Sequence, residues 1–401
     1  MQTHQQRSQT MESYPTELLL IAFVAMLAPL LAELPRNFRL PVVVLEVILG
    51  ILIGPQVFHL ASPDGMTGTL GELGLTFLLF MVGLDIDFDK IRGRPLSLAV
   101  GGWFLSLFVA MVCMFFFNVI GLIQTPPVLA AVALSTTALG VLAPILRDRG
   151  ELNTAFGTYM VAAAAVGEFG PLVVISMLLI PTNSTFVHAL FMVTFIIIAL
   201  VAANIALNTR SSRLIEILTR TMQSSGQLPV RICILLQILF VALAAKFGLN
   251  IVMGAFAAGI VVGLAIKGNE GELLRHKLDA IGYGFLIPIF FIVAGMRFEV
   301  SALWSAPLAP IQVALLSGLL VLVRGVPVFL YKKELTPEEK LPFALYSATG
   351  LPLIVIISEI GVSSGLMPAD RAAILVSAGM ISVLLFPILA VKLRGKFILP
   401  W

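Results

Sequence analysis

Phe77-Leu-Leu-Phe-Met-Val-Gly-Leu-Asp-Ile-Asp87 is echoed 212 residues later by Ile289-Phe-Phe-Ile-Val-Ala-Gly-Met-Arg-Phe-Glu299. At the same offset Ser135 and Thr137 map onto Ser347 and Thr349, and Gly50-Ile-Leu-Ile-Gly54 returns as Gly259-Ile-Val-Val-Gly263 at an offset of 209. A near-constant offset between matching apolar patterns is the mark of a membrane protein built from two related halves. Counting outward from these motifs gives about thirteen apolar segments, near 15–34, 40–58, 71–89, 98–122, 127–146, 154–180, 185–207, 228–246, 249–267, 279–297, 309–331, 341–362 and 371–391. Equivalent segments lie seven positions apart, an odd number, so the second half crosses in the opposite sense and the repeat is inverted. The seventh segment is the connector, and Thr209–Gln227, rich in Ser, Arg and Gln, is the linker between halves.

The composition agrees. Of 401 residues, 59% are hydrophobic and only 12% charged, with a mean hydropathy of +1.04, far from the quarter of charged residues usual in soluble domains. The fold class is therefore an all-α polytopic membrane protein, with the lipid bilayer as its first partner. Spans and short loops use almost the whole chain, so no soluble regulatory domain is expected within it. A regulator would be a separate cytoplasmic subunit. Residues 1–14 form a polar N-terminal tail without the features of a signal peptide, and Met11 is an alternative start.

Basic residues fix the orientation, because cytoplasmic loops carry the Lys/Arg excess. Arg92, Arg94, Arg147, Arg149, Lys332, Lys333, Lys392 and Arg394 fall on one side, and Arg7, Lys246, Arg297 and Arg371 on the other. The expected N-terminus is outside and the C-terminus cytoplasmic, in a bacterial inner membrane. The net charge of +3 comes without any basic cluster interleaved with aromatics, so no nucleic acid partner is expected. Cys113 and Cys233 lie in apolar segments, and His4, His59, His188 and His276 are scattered without metal-ligand spacing. No motif of hydrolytic or nucleotide chemistry is present, so the chain reads as neither an enzyme nor a cofactor protein.

Chemistry concentrates in three segments. The fifth carries Ser135, Thr136, Thr137, Gly140 and Pro144, and the twelfth carries Ser347, Thr349, Gly350 and Pro352. Interrupted helices at matching places in two repeats expose carbonyls and hydroxyls that can coordinate a cation; the plainer alternative is hydroxyls bonded to their own preceding turn and small residues that permit close packing. In the sixth segment Glu168 lies in mid-span, where a charge costs about 2.5–3.5 kcal/mol on insertion scales and is a functional-site candidate by default. The offset of 212 places Met380 opposite Glu168 and Val112 opposite Arg324, so each charge breaks the symmetry once. Glu168, with Thr137, is the candidate monovalent cation and proton ligand, since one carboxylate binds either a proton or a hard cation. A structural ion pair is the alternative for Glu168. Arg324 is its expected charge partner, or else snorkels to the cytoplasmic surface. Glu46 lines the cytoplasmic funnel or bonds across a helix interface. Asp85, Asp87, Asp89, Glu299, Glu359 and Arg297 read as solvated boundary charges.

Leu40-Pro-Val-Val-Val-Leu-Glu-Val-Ile-Leu-Gly-Ile-Leu-Ile-Gly-Pro55 and Gly71-Glu-Leu-Gly-Leu-Thr-Phe-Leu-Leu-Phe-Met-Val-Gly-Leu-Asp85 closely resemble the second and third helices of the monovalent cation:proton antiporters. These belong to the sodium/hydrogen exchanger superfamily, in the branch of Kef-type potassium efflux systems and bacterial Na⁺/H⁺ antiporters. The resemblance covers about 15–395 and implies a homodimer with a gate or dimer part at 15–90 and 228–300. It also implies a core part at 98–180 and 309–391 that moves as an elevator, with a linker helix at 185–207. Ser135-Thr136-Thr137 falls on the family's broken-helix threonine motif, and Gly167-Glu168 on its paired ion-binding positions, where relatives usually carry Asp-Asp, Asn-Asp or Gln-Asp. Arg324 falls where many relatives have an embedded Lys or Arg. Thr349-Gly350-Leu351 lacks the acid of the family's Gly-Glu motif, and Kef-type systems continue into a nucleotide-binding domain where this chain ends at Trp401.

The function expected is exchange of Na⁺ or K⁺ for H⁺, electroneutral because a single carboxylate titrates. The alternatives are Na⁺-coupled symport of an organic anion on the same fold, or a non-transporting sensor or channel subunit.

Overall fold

The computed structural model describes residues 2–33, 42–86, 91–123, 125–178, 185–208, 221, 224, 226–265, 269–298, 300–301 and 308–395. Among them every regular element is helical: α1 (Gln2–Glu33), α2 (Val42–Ile53), α3 (Gly65–Asp85), α4 (Arg94–Val119), α5 (Pro127–Leu134), α6 (Leu139–Asp148), α7 (Ala155–Leu178) and α8 (Thr185–Asn208) come first. The second half follows with α9 (Leu228–Lys246), α10 (Ile251–Ala265), α11 (Asn269–Ile281), a π turn at Gly282–Leu286, α12 (Ile287–Met296) and α13 (Ala309–Gly325). A 3₁₀ turn at Val326–Tyr331, α14 (Pro337–Ser347), α15 (Pro352–Ser363) and α16 (Ala369–Leu393) complete the chain. Nine described helices or helix runs are long and apolar enough to cross a membrane, and four shorter apolar helices join them. Together they account for the thirteen segments of the sequence. Most of Thr209–Gln227, with Asp87, Asp89 and Glu299, lies outside the described residues.

Segment starts differ from the hydropathy reading where polar residues lead a helix. The twelfth segment begins at Pro337, four residues early, because Thr336 and Glu339 form a capping box in which the Thr336 amide donates to Glu339 Oε2 at 3.0 Å. The tenth begins at Asn269, since the charged α11 runs through the π turn into α12 without a break. The polar start of the chain also belongs to a helix, α1 running from Gln2. Apolar pattern finds the part of a helix that needs lipid or core; caps find where it begins.

Glycine positions carry the internal symmetry into packing. A methyl group on Gly259 of α10 would strike the Phe80 carbonyl oxygen of α3, and one on Gly50 of α2 would strike the Ile292 carbonyl oxygen of α12. Gly83 meets the Phe256 carbonyl in the same way that Gly295 meets that of Val47. Gly263 faces Leu84, and Gly54 faces Met296. Each contact is the repeat image of its partner at the offsets of 209 and 212. The α3–α10 and α12–α2 seams are thus one interface built twice, with backbones close enough that only glycine fits, the usual means of helix association in lipid. α3 and α12 run antiparallel: Gly74 abuts Leu286 and Phe290, Gly71 abuts Val293, and Gly68 lies beside the Arg297 guanidinium. The inverted repeat is visible in that pairing.

Replacing Gly259 by Val should destabilise the protein by about 1–3 kcal/mol, the usual cost of overpacking. Thermal unfolding in detergent checks this, with Gly101→Ala as the neutral control because nothing lies within 4 Å of a methyl group there.

Candidate ion site at the crossing of two interrupted helices

The fifth segment loses its helix between α5 and α6, at Ser135–Ala138, and the twelfth between α14 and α15, at Ala348–Leu351. Proline explains part of this. Pro352 opens α15 as its first residue, where a missing amide costs nothing. Backbone groups freed inside a membrane must find partners, and here the twelfth segment and α7 supply them to the first interruption, and α16 to the second. The Ala138 amide donates to the Thr349 carbonyl at 2.7 Å, and the Thr137 amide donates to the Gly167 carbonyl at 3.1 Å. The Thr137 hydroxyl donates to the Ser347 carbonyl at 2.6 Å. On the far side the Gly350 amide donates to Ser382 Oγ at 3.1 Å, and that hydroxyl lies 2.7 Å from the Gly379 carbonyl.

Glu168, on α7, is 1% exposed. Its Oε2 accepts the amide of Leu139 at 3.0 Å, the first residue of α6. The carboxylate therefore caps the end of a half-helix, where free amides and the helix dipole favour negative charge. The equivalent place in the second half has Met380 opposite an α15 whose second residue of the pattern is proline, Pro352 standing where the first half has Gly140. Only one of the two half-helix starts holds an acid.

Arg324, on α13, is 4% exposed and enclosed by protein. Its Nε donates to the Ser347 carbonyl at 3.2 Å, Nη1 to Ser106 Oγ at 3.1 Å and Nη2 to the Ala163 carbonyl at 3.4 Å. The direct pairing with Glu168 that the sequence suggested is not formed. Arg324 connects to the site through the Ser347 carbonyl, which it shares with Thr137. The guanidinium has five donors in a rigid fork, and neutral acceptors from α4, α7 and α14 surround it.

Gly167 explains itself in this setting. A methyl group there would lie 2.8 Å from Thr137 Oγ1 and 2.9 Å from Arg324 Nη2, so the threonine and the guanidinium fill the space that a side chain at 167 would use.

The five predicted hydroxyl residues come together at the crossing, with different bonds. Ser135 Oγ donates to Val132, Thr136 Oγ1 to Ala133 and Thr349 Oγ1 to Leu345, each in its own preceding turn. Thr137 alone among them donates across to the other interruption, and Ser347 enters through its carbonyl as well as its hydroxyl, which faces Met160 Sδ at 3.9 Å. A hydroxyl that donates its proton keeps lone pairs for a cation. Glu46 is buried on α2 and bonded to none of these groups. Ser106 and Ser382, both buried, were missed by the sequence reading; a serine in an apolar helix gives no signal until its partner is known. Among the described residues no three His, Cys, Asp or Glu side chains gather as a metal cluster.

Comparison with known proteins gives a consistent family. A model described as "Sodium/hydrogen exchanger, transmembrane" matches residues 20–391. The chain is 27% identical over 398 residues to the putative Na⁺/H⁺ antiporter YjbQ of Bacillus subtilis, covering 94% of this chain and 63% of that one. It is 25% identical to the probable Na⁺/H⁺ antiporter 3 of Methanocaldococcus jannaschii, covering 74% of each. The structure of the sodium proton antiporter MjNhaP1 from Methanocaldococcus jannaschii superposes with a TM-score of 0.67 at 17% identity, over 96% of this chain and all of that one, which is a likeness of fold. The chain spans just under two thirds of the length of the Bacillus relative.

Gly167→Ala should lower thermal stability by about 1–3 kcal/mol through the Thr137 and Arg324 contacts, and Gly167→Asn should do so more. Unfolding midpoints of the purified variants decide it; an unchanged midpoint for both would mean that the space at 167 is open.

Proposed function

The chain belongs to the sodium/hydrogen exchanger family, and from that premise we propose that it is a secondary transporter exchanging Na⁺ or K⁺ for H⁺ by alternating access. One observation carries the reading: a single carboxylate, Glu168, sits buried at the start of a half-helix beside two crossed chain interruptions. A carboxylate so enclosed is neutralised either by a proton or by a small cation. Occupation by one excludes the other, so moving the site between the two sides couples the two ions. The lone pairs of Thr137, Thr136, Ser135, Thr349 and Ser347 and the freed carbonyls supply the remaining oxygen ligands. A relative named as an Na⁺/H⁺-K⁺ antiporter, GerN of Bacillus cereus at 25% identity, supports keeping both cations as candidate substrates.

The moving body on this reading is α4–α7 with α13–α16, which holds Glu168, Arg324 and both interruptions. α1–α3 with α9–α12 form the static gate and the homodimer contact, with α8 as connector. The two symmetric glycine seams support that division, because they lock α2, α3, α10 and α12 to one another. Sliding of one rigid bundle along another is a recognised mode of alternating access. The location is a bacterial inner membrane, with the N-terminus outside and the C-terminus in the cytoplasm. Arg324 stays protonated in protein settings, so it holds the site together and carries no proton.

In proteoliposomes an Na⁺ or K⁺ gradient should drive proton flux. Glu168→Gln should reduce it to the level of empty vesicles while the protein stays folded, and Glu168→Asp should keep part of it; wild-type flux in the glutamine variant would sink the assignment.

With one titrating carboxylate, one proton leaves for each cation that enters and no net charge moves. Proton flux should therefore not respond to an imposed membrane potential. A steep voltage response would require a second acid, and Glu46 is the first to replace.

A further inference from the structure

Four residues outside the ion site form two ion pairs that bridge the same bundles at opposite ends. Arg147, at the end of α6, lies 3.6 Å from Asp85 at the end of α3 and 3.8 Å from Asp279 on α11. Arg297, just past α12, donates to Glu359 on α15 at 2.7 Å. The internal offset of 212 takes Asp85 to Arg297 and Arg147 to Glu359. The two bridges are thus repeat images of each other with the signs exchanged. Because α3 and α12 are antiparallel, with Gly68 rather than Asp85 beside Arg297, one bridge lies at each end of the seam. Each anchors the outer half of an interrupted helix, at eight residues beyond Leu139 and Leu351, or about 12 Å along the axis.

We propose that Arg147–Asp85 and Arg297–Glu359 are positioning residues of the transport cycle, latches that hold the moving bundle against the gate at one end each. The proposal rests on the alternating-access reading and adds to it the groups that must part. Opening either end requires α6 to leave α3, or α15 to leave α12, and each separation breaks one bridge. Symmetry supports this over chance surface pairing: nothing in the helix fold requires charges at equivalent positions to find partners across the same seam twice. The bridges differ in setting. At the Arg147 end Arg275 also approaches Asp85 at 3.1 Å and donates to the Leu84 carbonyl at 2.8 Å, while the Asp85 side chain is 10% exposed. The Glu359 side chain is 53% exposed, so water and salt weaken that pair more. Arg275 lies on α11, in the gate with Asp85, so it shares that carboxylate with Arg147, whereas Arg297 and Glu359 meet at the shorter distance of 2.7 Å but in more open surroundings. Asp85, Arg297 and Glu359 are then more than the solvated boundary charges that hydropathy suggested.

The test uses single reporter thiols one turn inward from each latch, in a chain with Cys113 and Cys233 replaced by Ala. Val355→Cys reports the Glu359 end, where Val355 lines a small apolar cavity with Phe298, Leu351 and Pro352; its repeat image Ala143→Cys reports the Arg147 end. A membrane-impermeant maleimide is applied from each side in proteoliposomes. Arg297→Glu or Glu359→Arg should speed labelling of Val355→Cys by about fivefold, the scale of an exposed ion pair, and slow that of Ala143→Cys. Arg147→Glu should do the opposite. The exchange Arg297→Glu with Glu359→Arg should restore the original rates. Equal acceleration at both reporters, or none, overturns the proposal, as does failure of the charge exchange to restore labelling. Labelling does not depend on ion flux, so an inactive protein with the expected labelling would reject cation exchange and keep the latches, and the reverse result would do the converse.

Discussion

Everything at the centre of this molecule follows from unpaired backbone inside a membrane. Two helices stop in mid-span, and water is absent to satisfy the groups that their ends release. Facing elements supply the partners: the amide of Ala138 goes to the carbonyl of Thr349, the hydroxyl of Thr137 to the carbonyl of Ser347, and the amide that begins α6 to Glu168. Glu168 is held inside the protein by the same electrostatics that would hold an anion at any helix start. The amide that begins α6 thus finds its own partner and fixes the position of the carboxylate by the same bond.

Symmetry supplies the frame, and its violations gather around the crossing. The paired glycine seams repeat contact for contact between halves, so the frame is nearly two-fold. Within it Met380 stands opposite Glu168, Pro352 opposite Gly140 and Val112 opposite Arg324. Val112 is exposed to the lipid side of α4 while Arg324 is buried among α4, α7 and α14. An exactly symmetric molecule would carry two equivalent sites; the three substitutions leave one acid and one cation in the crossing. Arg324 and Glu168 do not touch: neutral acceptors hold the guanidinium, and the Leu139 amide holds the carboxylate.

The sequence by itself determined the thirteen segments, the inverted repeat and the two interruptions, because lipid imposes length and apolarity on spans and punishes mid-span prolines and hydroxyls unless they serve a site. It also singled out Glu168 and Arg324, since each charge is anomalous against its own repeat image. Tertiary structure alone decided which groups meet. Ser106 and Ser382 gave no signal, because a buried serine is unremarkable until an arginine or a free amide is seen facing it. Gly167 looked like a lost ligand and proved to be the space taken by Thr137 and Arg324. Asp85 and Glu359 looked like solvated ends and proved to be paired across a seam. Hydropathy and spacing act along one helix, whereas these contacts join residues up to some two hundred positions apart, and only the packing of antiparallel halves brings them together.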